Sequence, residues 1–162
     1  MPFKLEFVPL AGFVTLMTIA AFEDFRRLVI PNGVVVGLCV LWPCYLATSP
    51  GGNPTNAMIA LGCGLAVFLA GAVLFSRGLI GGGDVKLLTA ATLWAGPGST
   101  PALLIVTAVL GGILTLALLS PLALRAVFAP AAAADAAKRM PVPYGVAIAG
   151  ASLIVTIPPN LS

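Results

Sequence analysis

Two aspartates are the residues of this chain whose type and setting could do chemistry. Asp24 lies in A-F-E-D-F-R-R-L-V-I-P-N and Asp84 in L-I-G-G-G-D-V-K-L-L, each at the charged edge of an otherwise apolar stretch in a chain only 8% charged. An ionisable group at the edge of a hydrocarbon region is costly, so each is a candidate functional group. Two carboxyl groups held close together cannot both ionise readily, and the pair shares a proton. The ionised member can then act as general base on a water while the protonated member donates to a carbonyl oxygen. That is hydrolysis of a peptide bond with no metal, no cofactor and no covalent intermediate. The chain has no histidine and no C-x-x-C pair, so a zinc site of the usual ligand types is not expected. Cys39, Cys44 and Cys63 lie within apolar runs and read as small buried hydrophobes.

The elements that must position these carboxyl groups follow from composition. The 162 residues are 60% hydrophobic, with a mean hydropathy of +1.12, whereas a soluble domain is nearer half apolar and a quarter charged. A bilayer-spanning helix needs about 20 mostly apolar residues. The expectation is an all-α, polytopic integral membrane protein, a single domain over 1–162, with about six transmembrane helices near 5–22, 33–49, 56–76, 79–95, 101–124 and 142–158. Turn chemistry separates them at Pro31-Asn32-Gly33, at 49–54 and at Gly96-Pro97-Gly98-Ser99. In the fourth stretch Gly81, Gly82 and Gly83 delay the helix until near Asp84. The first stretch reads as a retained helix: its run is too long for a secretory signal, and Glu23-Asp24-Phe25-Arg26-Arg27 follows it in place of a cleavage site. The charges are too sparse for a nucleic-acid face, and the lipid bilayer is the expected surrounding.

Orientation comes from the basic residues. Seven of the eight, Arg26, Arg27, Arg77, Lys86, Arg125, Lys138 and Arg139, fall in alternate connections, which must share one side. By the positive-inside rule that side is cytoplasmic, with both termini outside. Asp24 and Asp84 then lie on the same, cytoplasmic side, at the ends of helices one and four.

Local context gives each carboxylate a bland reading as well. Asp84 could be an N-cap after a flexible turn, its oxygens meeting free backbone N–H groups. Against this, non-helical backbone at a membrane edge is tolerated only where it is buried in protein or lines a wet cavity. Gly81 to Gly83 permit unusual backbone angles and close approach of another chain, which suits admission of an extended peptide. Asp24 could be an interfacial acid neutralised by Arg26 or Arg27. Glu23 points elsewhere on a helix and is expected to be interfacial and replaceable. The alanine-rich run 129–137, followed by Lys138 and Arg139, reads as a neutral linker or frayed helix.

These residues resemble the prepilin peptidase family, G-x-G-D intramembrane aspartic proteases. The resemblance lies in Gly81-Gly82-Gly83-Asp84-Val85-Lys86-Leu87 and in Asp24 followed six residues on by Ile30-Pro31-Asn32. Pro143-Tyr144-Gly145 is similar to a proline-containing element of related proteases. The resemblance implies removal of a short, basic leader from type IV pilin-like precursors at the cytoplasmic face of a bacterial inner membrane. It implies Asp24 and Asp84 as the catalytic pair, with Gly81, Gly82, Gly83, Lys86, Arg27, Pro31 and Asn32 as the surrounding loop or substrate-binding residues. Arg26, Arg27 and Lys86 would repel a basic leader, so they are read as anchors at the membrane face or contacts for an acidic substrate residue. Larger members add an N-terminal methyltransferase region. Asp24 comes too early to leave room for it, and the expectation is peptidase activity alone, as in the short enzymes of tight-adherence (Flp-type) pilus systems.

Three other readings compete. A small ion- or proton-coupled transporter could use the same aspartates, although they sit toward one face and no repeated halves are visible. A non-catalytic scaffold of a secretion apparatus should tolerate Asp84→Asn, which a protease should not. A signal-peptide-peptidase or presenilin-type enzyme shares the dyad, but its first aspartate usually follows a tyrosine, and Glu23 precedes Asp24 here.

Overall fold

A computed structural model describes residues 7–49, 52–126 and 142–157. Among them the backbone forms helices and no strand: α1 (Phe7–Arg27), α2 (Asn32–Thr48), α3 (Pro54–Ser76), α4 (Gly82–Ala126) and α5 (Tyr144–Thr156). The alanine-rich run 129–137, Lys138 and Arg139 lie outside the described residues.

Phe7–Arg27, Pro54–Ser76 and Gly82–Ser120 are long and apolar enough to cross a membrane, while α2 and α5 are shorter apolar helices. Length and composition thus qualify three helices where the sequence led us to expect about six, and the fourth and fifth expected stretches fall within the one element α4. The four-residue turn expected at 96–99 is reduced to Gly96 alone, at φ 71° and ψ 173°. Glycine adopts this conformation without a Cβ penalty, and Pro97, which has no N–H to leave unpaired, suits the first position of the helical stretch that follows. The chain doubles back there. Leu104 and Thr107 line the same cavity as Asp84 and Leu88, whereas in a straight helix residues 84 and 107 would stand about 34 Å apart. The arms run over 82–95 and 97–126.

Helical spacing decides what is buried. α1 turns Leu10, Phe13, Met17 and Ala20 inward, and the next position of that stripe is Asp24. α2 contributes Val34, Leu38 and Trp42, and the first arm of α4 contributes Leu87, Ala90, Ala91 and Trp94. α5 buries Gly145, Ala147, Ala149, Ala151 and Ser152, small residues that let it pack closely on α1 and α4. α3 buries only Ala60 and Gly64 and leaves Met58, Leu61, Leu65 and Leu69 exposed, a surface matched to lipid rather than water.

Two levels of the helix set fix α1 against the first arm of α4. At one, Trp94 stacks between Phe13 (centroids 4.6 Å apart) and Tyr45 (5.0 Å), and its Nε1 donates to the Leu38 carbonyl at 3.0 Å. The other level, near the end of α1 and the start of α4, holds the two aspartates.

Candidate active site

Asp24 occupies the last turn of α1 and is buried, with only 4% of its surface exposed. The arginines expected to neutralise it point elsewhere. Arg27 pairs with Glu23 at 3.4 Å on the outer face, and Arg26 lies over the Phe22 ring. Asp24 instead faces the start of α5, where the backbone N–H groups of Gly145 and Val146 meet its carboxyl group. A Cβ at Gly145 would stand 2.8 Å from the Asp24 Cγ and 2.9 Å from the Ile30 Cδ1, so only glycine lets α5 come this close. One carboxyl oxygen, Oδ2, is buried and has no hydrogen-bond partner among the described residues. A buried oxygen left in that state is costly, and it is the kind of atom a bound water or substrate would satisfy.

Asp84 stands in the first turn of α4 and is half-buried. The helix opens where the Gly81 carbonyl accepts from Val85 N–H at 3.2 Å, and the Asp84 side chain reaches back to the Gly81 N–H. This is one half of a capping box, since Gly81 has no side chain to return a bond to the Asp84 N–H. A Cβ at Gly81 would lie 2.8 Å from Asp84 Oδ2. The three glycines therefore act through close approach: Gly81 seats the carboxylate, Gly82 admits the Phe75 ring and Gly83 admits Ile30. The unusual backbone angles expected of them occur elsewhere, at Gly78 (φ 70°) and Gly96. Gly78 closes α3, donating to the Phe75 carbonyl at 2.9 Å while Leu79 donates to Leu74 at 3.0 Å. That pair of bonds is a Schellman ending, and it turns the chain straight into the glycine run.

Asp24 and Asp84 line one cavity of about 660 Å³, and the charge of one acts on the other. The segment between α1 and α2 forms another wall. Leu28 takes a left-handed conformation, φ 54°, which is strained for a residue with a branched side chain. The reversal drops Ile30 between Gly83 and Gly145. Asn32 then receives a hydrogen bond from Lys86 Nζ at 3.1 Å, tying this segment to α4 beside the carboxylates.

Of the residues singled out by sequence, Asp24, Asp84, Gly81, Gly82, Gly83, Lys86 and Asn32 meet at this cavity. Arg27 and Pro31 do not line it. Arg27 lies largely in the open beside Glu23, and Pro31 serves as the entry to α2, its carbonyl accepting from Val34 N–H. Leu28, Leu79 and Ile80 line the cavity without having been anticipated. The backbone donors of α5 were not anticipated, although the resemblance had singled out the segment Pro143-Tyr144-Gly145 in which Gly145 lies. The stripe of α1 held a further signal: its spacing separates Asp24, on the buried face, from Glu23.

A sequence model of the type IV leader peptidase family matches residues 11–116, nearly two-thirds of the chain. The chain belongs to the type IV leader peptidase family. The match takes in both aspartates, the glycine turn and most of α4, and ends before α5. The helix that meets Asp24 with its N–H groups thus lies outside the matched residues. No curated protein and no solved structure matches the chain.

Proposed function

We propose that this member of the type IV leader peptidase family is an intramembrane aspartic endopeptidase, with Asp24 and Asp84 as its dyad, that removes the short basic leader of type IV pilin-like precursors at the cytoplasmic face of the inner membrane. The observation that carries the proposal is the shared cavity, in which two carboxyl groups from different helices come within electrostatic range of one another. In the reaction, one carboxylate takes a proton from water as its oxygen adds to the scissile carbonyl carbon. The other carboxyl group gives its proton to the carbonyl oxygen. Collapse of the resulting gem-diol breaks the C–N bond: the amine nitrogen receives the proton held by the base, one gem-diol hydroxyl returns its proton to the other carboxylate as the C=O bond re-forms, and the dyad is again singly protonated. The Gly145 and Val146 N–H groups and the Gly81 N–H hold the two carboxyl groups in place through the cycle. The basic residues Arg26, Arg27, Arg77 and Lys86 lie at the same helix ends as the aspartates, which supports a cytoplasmic placement under the positive-inside rule.

The test is co-expression of a pilin-like precursor with wild type, Asp24→Asn, Asp84→Asn and Glu23→Gln, each verified in the membrane, with leader removal followed by mass. Loss of processing in both aspartate variants and retention in Glu23→Gln is the expected result. Normal processing by the aspartate variants would remove the dyad and favour a transporter that uses the same groups for ion binding.

A further inference from the structure

The short segment between α1 and α2 joins the turn that carries Asp24 to the turn that carries Asp84. At its start, Leu28 N–H donates to the Asp24 carbonyl at 2.9 Å. In its middle, Ile30 fits against a glycine beside each carboxyl group. A Cβ would stand 3.4 Å from Ile30 at Gly83, which precedes Asp84, and 2.9 Å from it at Gly145, whose N–H meets Asp24. At its end, Asn32 accepts from Lys86, two residues after Asp84. We infer that Lys86 and Asn32 are positioning residues: their bond holds the segment in its strained path, and that path keeps Asp24 and Asp84 facing one another. This inference rests on the protease reading proposed above.

Strain is the reason a tie is needed. Leu28 follows the last turn of α1 at φ 54°, a left-handed conformation that glycine usually supplies at the end of a helix. A branched side chain held there persists only where its surroundings fix it. Ile30 is buried, and Pro31 follows it at φ −62° and ψ 132°. A proline keeps the residue before it out of the helical region, so Ile30 and Pro31 form a stiff stretch. A constraint at Asn32 is therefore passed back to Leu28 and to the turn of Asp24. Lys86 is suited to apply it. Two positions along a helix separate side chains by about 200°, so Lys86 leaves α4 in a different direction from Asp84. Its ammonium meets the neutral Asn32 amide and, among the described residues, forms no ion pair with either aspartate.

The experiment uses the full chain in vesicles of phosphatidylethanolamine and phosphatidylglycerol with a pilin-like precursor, and compares Lys86→Met, Asn32→Leu and the double variant. Each single change should lower kcat about tenfold, the scale of one lost hydrogen bond to a charged group, and leave KM within about twofold. The double variant should be no worse than either, because both changes remove the same bond. Lys86→Arg, which keeps a donor, should recover most of the loss. In a Leu28→Asn background, where the left-handed conformation is easier to hold, Lys86→Met should cost only about threefold. A rise in KM with kcat unmoved would overturn the tie and make Lys86 a substrate contact. A loss in Lys86→Met that Asn32→Leu does not share would overturn it in favour of the Lys86 charge acting on the dyad. Nitroxides at Val29→Cys and Leu79→Cys, two exposed positions on the cavity wall, report the segment without any cleavage. With the three native cysteines replaced by alanine, one narrow distance is expected, broadened by Lys86→Met and by Asn32→Leu. An unchanged distribution would overturn the tie and leave the protease standing. A wild type that cuts no precursor, at the level of Asp84→Asn, would overturn the protease reading itself, and the nitroxide distances would still judge the tie.

Discussion

Where Trp94 stacks between Phe13 and Tyr45, the side chains close on one another and the indole N–H is satisfied by the Leu38 carbonyl. About 15 Å along the same two helices, Asp24 and Asp84 leave a cavity, and a buried carboxyl oxygen lacks a partner among the described residues. The two levels use the same helices, α1 and the first arm of α4, and the same inward stripe. They differ in what the stripe carries. Aromatic rings fill space and gain stability from contact, whereas buried carboxyl groups at equivalent positions cost stability, a cost the proposed chemistry would explain. The closed level holds the helices in register, and the open level uses that register.

Changes at the two levels should therefore fall on different readouts. Asp24→Asn or Asp84→Asn should lower leader removal by about 10³-fold or more, the scale of a lost general acid or base, with little change in thermal unfolding measured in detergent. Trp94→Ala should do the reverse: a loss of about 3–5 kcal/mol of stability, as for other buried large-to-small changes, with activity per folded molecule retained. If Trp94→Ala instead abolished cleavage at full stability, the division between levels would fail. Gly145→Ala sharpens it, because the new Cβ would press on the Asp24 carboxyl from 2.8 Å. A displacement of that kind should cost about 10²-fold in kcat/KM and leave membrane abundance unaffected. The smallest effect belongs to the Glu23–Arg27 pair on the outer face. Glu23→Gln should change stability by under about 0.5 kcal/mol and processing by less than twofold.

How much of this was readable in the chain depends on the kind of signal. The all-helical character and the family follow from long apolar runs and from two motifs whose residues are local in sequence. The count of about six spans is not confirmed: length and composition qualify three helices, α2 and α5 are shorter apolar helices, and the fourth and fifth expected stretches are the two arms of α4 on either side of Gly96. Burial of Asp24 was legible from the spacing Leu10, Phe13, Met17, Ala20, Asp24, yet adjacency to Arg26 and Arg27 pointed to an interfacial ion pair instead. Sequence neighbours on a helix point in different directions, and period outweighs proximity. The role of the glycines was read half correctly. Close approach is what they provide, and positive φ falls to Gly78 and Gly96. Contacts made by α5 depend on backbone groups, Gly145 N–H and Val146 N–H, which any residue but proline would supply. No side-chain pattern could have announced them.

The break at Gly96 bears on how this chain reaches its membrane. Between Lys86 and Arg125 no residue is charged, and the reversal of α4 consumes a single non-helical residue. A hairpin of that kind has no charged loop to carry through hydrocarbon and little unpaired backbone at its tip. Its two arms can therefore enter the apolar phase together, as one unit.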